Sequence, residues 1–157
     1  MLNSSLHDWR GTRLLHATDE LEGAGHHRVE LLFQLPALEA QLDAQLWAKV
    51  WTAHGPGLAI RPFSTMPLRA DIRDGVNGSS GDTRPEQRQL ATALVFKGEA
   101  DVPIRLVTLL YPLHDRQAAV PAVMPFWDEQ DRLSGLTVGD PPATILCSEH
   151  SVTVEAA

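Results

Sequence analysis

His27-Arg28-Val29-Glu30-Leu31-Leu32-Phe33-Gln34-Leu35 is the stretch that decides the fold. Val29, Leu31, Phe33 and Leu35 fall on one side and Arg28, Glu30 and Gln34 on the other, the period-two pattern of a half-buried β-strand. Upstream, residues 12–20 read as a strand and as its hairpin partner, because Glu22-Gly23-Ala24-Gly25 supplies turn-forming glycines between them. Downstream, residues 45–53 and 57–64 read as a second hairpin, broken by His54-Gly55-Pro56-Gly57. Between the two hairpins, residues 37–44 have Leu38 and Leu42 at a spacing that would suit one turn of helix, too short to build a domain.

The rest of the chain continues in the same manner. Residues 69–87 are polar and contain Asp74-Gly75-Val76-Asn77-Gly78-Ser79-Ser80-Gly81-Asp82, which predicts a long surface loop. Strands follow at 88–96 and 102–111. The second is apolar on both faces over Val107-Thr108-Leu109-Leu110-Tyr111, as in a strand covered on both sides in the middle of a sheet. Residues 113–130 carry prolines and no period, and 132–138, 143–147 and 151–155 predict three short strands. About nine strands at hairpin spacing predict an all-β fold, an antiparallel β-sandwich with a long polar loop, in one domain spanning 1–157.

Composition narrows the function. Thirteen Lys and Arg against 20 Asp and Glu give a formal charge of −7, which disfavours nucleic acid and anionic membrane as partners. The single cysteine, Cys147, lies in the apolar run Thr144-Ile145-Leu146-Cys147 and reads as a buried structural thiol. The first residues lack a basic segment followed by an apolar one, so no signal peptide is expected, and no apolar run is long enough for a membrane helix.

Two blocks carry a family resemblance. Asp19-Glu20-Leu21-Glu22-Gly23-Ala24-Gly25-His26-His27 fits a D-x-L-x-G-x-G-x-H pattern leading into a strand that ends Phe33-Gln34-Leu35. The polar loop with Gly75, Ser79, Ser80 and Gly81 is followed by Leu106-Val107-Thr108-Leu109-Leu110-Tyr111-Pro112, an L-x-T-x-L-x-P strand. In order and spacing these resemble the C-terminal β-sandwich region of heparinase II/III-like proteins, with Gln34 standing where the family commonly has His. The resemblance covers about residues 14–112.

It implies a polysaccharide lyase whose N-terminal α/α toroid holds most catalytic residues and is absent from this chain, while the sandwich walls the substrate cleft. Such enzymes act on uronic-acid-containing polysaccharides by β-elimination, and full-length members are often periplasmic or secreted. Removing the proton α to a uronate carboxyl requires an acid and base together with groups that neutralise the carboxylate. With Tyr111 as the sole tyrosine, on a strand expected to be buried, this chain is expected to be inactive alone. No cofactor and no metal are expected in this chain, since the structural zinc site of some members lies upstream of the region that the resemblance covers.

Candidate sites are few. Trp47, Lys49 and Trp51 fall on one face of a strand and could form a sugar-stacking platform, the basis of an alternative reading as a free-standing carbohydrate-binding module. The same face would equally suit packing against the opposite sheet or the toroid. His26 and His27 diverge in a strand and do not converge on a metal. Asp19, Glu20 and Glu22 read as a solvated turn, and His114-Asp115 and Ser148-Glu149-His150 read as loops without a nucleophile elbow.

Overall fold

The computed structural model describes residues 2–8, 15–36, 38–53, 55–76, 90–139, 142–147 and 152–156. Among them are thirteen strands, numbered β1 to β13 in chain order, and no helix. A six-stranded sheet runs in the order β1 (Leu2–Asp8), β2 (Leu15–Leu21), β9 (Ile104–Leu113), β6 (Gly57–Phe63), β5 (Ala48–Trp51) and β4 (Glu39–Leu42). A three-stranded sheet is β3 (His26–Pro36), β8 (Leu90–Asp101) and β7 (Arg69–Val76), and a four-stranded sheet is β10 (Val123–Trp127), β11 (Leu133–Val138), β12 (Ala143–Cys147) and β13 (Val152–Ala156). Every pairing is antiparallel.

Side-chain alternation makes the six-stranded sheet the middle layer. Trp47, Trp51, Ala59, Phe63, Val107 and Leu109 face the four-stranded sheet, where they meet Leu133, Leu136, Val138 and Ile145. Their chain neighbours Ala48, Val50, Ile60 and Leu110 turn the other way and meet Phe33, Leu94, Phe96 and Ile72 of the three-stranded sheet. Since successive residues of a strand point to opposite sides, β5, β6 and β9 must be apolar at almost every position. That explains the continuous apolar run of β9, where Thr108 and Leu109 are both fully buried.

Local chemistry sets the connections. Asp43-Ala44-Gln45-Leu46-Trp47 joins β4 to β5. Asp43 Oδ1 accepts hydrogen bonds from the backbone N–H groups of Gln45 and Trp47, each at 2.9 Å, and Leu46 adopts φ 66°. Asp128-Glu129-Gln130-Asp131-Arg132 repeats this between β10 and β11, with Asp128 Oδ1 accepting from Gln130 and Arg132 at 2.9 Å and Asp131 at φ 58°. In both, the backbone N–H of the first residue donates to the carbonyl of the fifth. Gly57 and Gly135 admit aromatic neighbours: a Cβ there would lie 2.5 Å from the Trp51 ring and 2.3 Å from the Phe126 ring, respectively.

The all-β class and the 57–63, 104–113, 133–138 and 143–147 strands agree with the sequence reading. Four expectations change. β2 does not pair with β3: it pairs with β1 and β9 in the six-stranded sheet, while β3 pairs with β8 in another layer. The Gly23 to Gly25 turn is therefore a crossover between sheets. Residues 69–76 are a strand, β7, whose alternation places Ala70 and Ile72 against the core; the remainder of the expected loop, 77–89, lies outside the described residues. Residues 39–42 form a strand, and 113–130 contain β10, whose apolar side chains partly face solvent and so show no clean period. The expected strands numbered about nine; the described residues contain thirteen in three sheets, the middle one covered on both faces.

Leu109→Ala, at the centre of the middle sheet, is expected to lower the unfolding free energy by about 2–5 kcal/mol. Met124→Ala, at a side chain 68% exposed, should change it by less than about 0.5 kcal/mol. Urea titration of both variants checks the layering directly.

Candidate functional site: the outer face of the three-stranded sheet

Trp47 and Trp51 do share a face, but their exposures are 1% and 4%, within the core between the six- and four-stranded sheets. Lys49, between them in sequence, is only half-buried. The guanidinium of Arg61 lies over Trp47 at 5.7 Å and over Phe63 at 4.5 Å, and that of Arg116 lies over Trp51 at 5.5 Å. A sugar ring stacks on an indole whose face is open to solvent, and protein already occupies these faces. The sequence predicted the shared face and left open what it packs against; the opposite sheet fills it.

The D-x-L-x-G-x-G-x-H block is accounted for by the crossover between layers. Gly23 and Gly25 have φ of 142° and 93°, conformations that favour glycine. Gly25 accepts a hydrogen bond from the backbone N–H of Val102 at 3.1 Å, at the neighbouring crossover from β8 to β9. His27 Nε2 lies 3.1 Å from the carbonyl of Ala24 and donates to it, pinning the turn. His26 points away, with Nδ1 3.3 Å from Asp101. The two histidines therefore serve different partners, and among the described residues no group of His, Cys, Asp or Glu gathers for a metal.

Glu20 departs from its expected place in a solvated turn. It sits opposite Arg105 on β9 and accepts from Nε at 2.6 Å and from Nη2 at 2.5 Å. Arg105 Nη1 also donates to the carbonyls of Leu133 and Cys147, at 3.1 and 3.0 Å, tying the middle sheet to the four-stranded sheet. A cleft of about 490 Å³ opens beside this pair, lined by Leu21, Glu22, Pro103 and Arg132 among others. Its charges are committed internally: Arg105 as described, and Arg132 Nε to Asp128 at 2.8 Å. Burial pushes the Cys147 thiol up, favouring its protonated form.

His114 and Asp115 form an exposed pair at 3.2 Å, and Asp115 Oδ1 accepts from the backbone of Gln117, as a loop residue does. Ser148, Glu149 and His150 lie outside the described residues. Tyr111 is half-buried and packs against the core between the six- and four-stranded sheets.

A second cleft, of about 430 Å³, lies on the outer face of the three-stranded sheet and is lined by Arg28, Pro67, Arg69, Lys97, Gly98 and Glu99. Strand register puts Arg28 opposite Glu99, and Lys97 opposite both Glu30 and Arg69. Opposed residues of antiparallel strands project to one side, so all five belong to one face. Arg28 Nη2 donates to Glu30 at 3.3 Å. Gly98 lets the Met66-Pro67 segment lie against β8: a Cβ there would come within 2.6 Å of the Pro67 carbonyl oxygen. The sequence reading missed this face because β7 was expected to be loop, which hid the alignment of Arg69 with Lys97.

The class these observations define is a layered antiparallel all-β fold with a sheet face that carries Arg28, Arg69 and Lys97 beside Glu30 and Glu99. Among solved structures the chain is similar to heparinase III, with a TM-score of 0.57, 15% identity, and an alignment covering 92% of this chain and 22% of that one. At this identity the likeness shows the fold, and the chain spans about a fifth of the length of that relative. No family profile matches the sequence, and no curated protein matches it. No helix among the described residues is long and apolar enough to cross a membrane.

Two outcomes follow from the polar contacts. Arg105→Met should cost about 2–4 kcal/mol, because it strands a partly buried carboxylate and two carbonyls. Arg105→Lys should recover only part of this, since an ammonium cannot fork between the three acceptors; chemical denaturation of both variants measures it. The Arg132 backbone N–H holds the Asp128 carboxyl below the usual aspartate value, and the Gln130 N–H and the Arg132 guanidinium add to the effect against desolvation. A pKa depressed in the folded state gives stability present above the unfolded value and lost as pH falls through the folded one. Asp128→Asn should therefore flatten the acid limb of a pH–stability curve.

Proposed function

We propose that this chain is the β-sandwich portion of a heparinase II/III-like polysaccharide lyase and that it contributes a wall of the substrate cleft, with the proton-transfer groups on another part of the enzyme. The observation that carries the reading is the alignment of 92% of the chain with a heparinase III that is several times longer. The Asp19 to His27 block supports it, since the residues that resemble the family are those that build the crossover between layers. β-Elimination needs a base for the proton α to the uronate carboxyl, an acid for the leaving oxygen and donors to the carboxylate. Tyr111, the one tyrosine, packs against the core rather than into a cleft. The partly buried Arg105–Glu20 pair holds the layers together through hydrogen bonds.

A stacking module built on Trp47 and Trp51 would need indoles that the core encloses. The wall reading needs none, because its contribution is a rigid surface.

Purified chain incubated with heparin-like, alginate-like and other uronate polymers should yield no unsaturated uronate ends, measured by their ultraviolet absorbance. Appearance of that chromophore would overturn the proposal. In the same assay the chain expressed in frame with a heparinase-like α/α toroid should form the product; a soluble fusion that stays inactive on every polymer would count against the family assignment.

A further inference from the structure

The face containing Arg28, Arg69 and Lys97 has an energetic oddity. Lys97 and Arg69 are directly opposite each other on neighbouring antiparallel strands, and like charges so placed repel and destabilise the pairing. Among the described residues neither forms an ion pair or a side-chain hydrogen bond, whereas Arg28, Arg73, Arg105, Arg116 and Arg132 all do. Both line the 430 Å³ cleft with Pro67 as a wall, and Lys97 is half-buried there. Glu30 stands opposite Lys97 on its other side, but its carboxylate is bonded by Arg28, so an anion seated between Lys97 and Arg69 would relieve their repulsion.

From this geometry we infer that the cleft over β7 and β8 binds an acidic group, carboxylate or sulfate, of a polysaccharide chain. Arg69 can grip a planar oxyanion with two parallel N–H donors, while Lys97 supplies a point charge from the neighbouring strand. Arg28 is engaged with Glu30 but lies on the same face across β8, so the next acidic group along a chain would meet it after displacing that carboxylate. Glu99 sets a limit: it lines the same cleft opposite Arg28, favouring an anion at the Lys97–Arg69 end.

The formal charge of −7 does not forbid this. At physiological salt, charges farther apart than about 8 Å are largely screened, so at contact the lining of the cleft outweighs the distant carboxylates. The net charge does disfavour long, dense polyanions such as nucleic acid, whose charges run on over the acidic surface. Naming a saccharide rests on the function proposed above; the anion site rests on the opposed cations.

Isothermal titration tests it with three probes: a heparin oligosaccharide, an oligouronate without sulfate, and neutral dextran. Binding of either acidic probe, weakened by salt, is expected, and dextran should not bind. If both acidic probes bind, the site reads carboxylate; if heparin alone binds, it reads sulfate. Lys97→Gln and Arg69→Gln should each weaken binding about tenfold or more, as loss of a charge-assisted contact does. Arg116→Gln, a cation paired with Glu39 elsewhere, should not weaken it.

Thermal melts keep the test independent of misfolding. Arg69→Gln should raise Tm slightly by removing the like-charge pair, and Tm should rise in wild type, but not in the double variant, when the bound probe is added. No binding of either acidic probe, unchanged affinity in the double variant, or equally tight binding of single-stranded DNA would each overturn the anion site. None of these results would touch the wall reading, which fails by the separate appearance of unsaturated uronate ends.

Discussion

Burial of β9 on both faces is the constraint from which the rest of the molecule follows. A strand covered twice cannot carry charges at its centre, and every strand beside it must show two apolar sides as well. The neighbouring β6 obeys this with Ala59 and Phe63 on one side and Leu58 and Ile60 on the other. Apolar residues so concentrated in one layer leave the two outer sheets apolar on their inward faces only. Among the described residues charge lies mostly at the rims and on outward faces, with Lys49 and Arg61 half-buried exceptions on the side of the middle sheet that faces the four-stranded sheet.

Arg105, the second residue of β9, shows what happens when a charge is admitted beside the core. Its side chain is 12% exposed and that of Glu20 23%, so desolvation must be offset locally. The offset comes from the fork of Arg105, which satisfies one carboxylate and two carbonyls of a different sheet. Because those carbonyls belong to β11 and β12, the pair also fixes the lateral position of the four-stranded sheet. Apolar contacts alone define a layer spacing well and a lateral position poorly, since hydrophobic burial has no direction. The hydrogen bonds of Arg105 supply that direction at one end of the interface.

Much of this was legible in the sequence where periodicity speaks directly. The doubly apolar run from Val107 to Tyr111 announced a covered central strand, and the alternation from Val29 to Leu35 announced a half-buried one. Pairing was less legible. Gly23 and Gly25 look the same in sequence whether the chain turns back beside itself or crosses to another layer, and only the partners of β2 and β3 distinguish the two. β7 was obscured because Asp71, Arg73 and Asp74 outweigh Ala70 and Ile72 in composition, although the alternation was present. The functional reading suffered the same way: Trp47 and Trp51 were correctly placed on one face, but a face buried under a second sheet and one open to solvent carry identical side chains.

The distinction between a structural charge and a functional one then turns on what each charge is matched with. Arg105, Arg116 and Arg132 have carboxylates within 2.9 Å, and removing those pairings would cost the fold something. Lys97 has Glu30 opposite it on β3 but Arg69 opposite it on β7, and Arg69 has only Lys97, so a neutral side chain at position 69 would pair better with its neighbour. Glu30 on β3 gives stability a reason for a basic residue at Lys97, but nothing opposite Arg69 does the same, whereas recognition of an oxyanion accounts for both, because a negative group between the two cations converts their repulsion into attraction. A layered core that keeps its own interior free of uncompensated charge is what allows that small cost to be carried on an outer face.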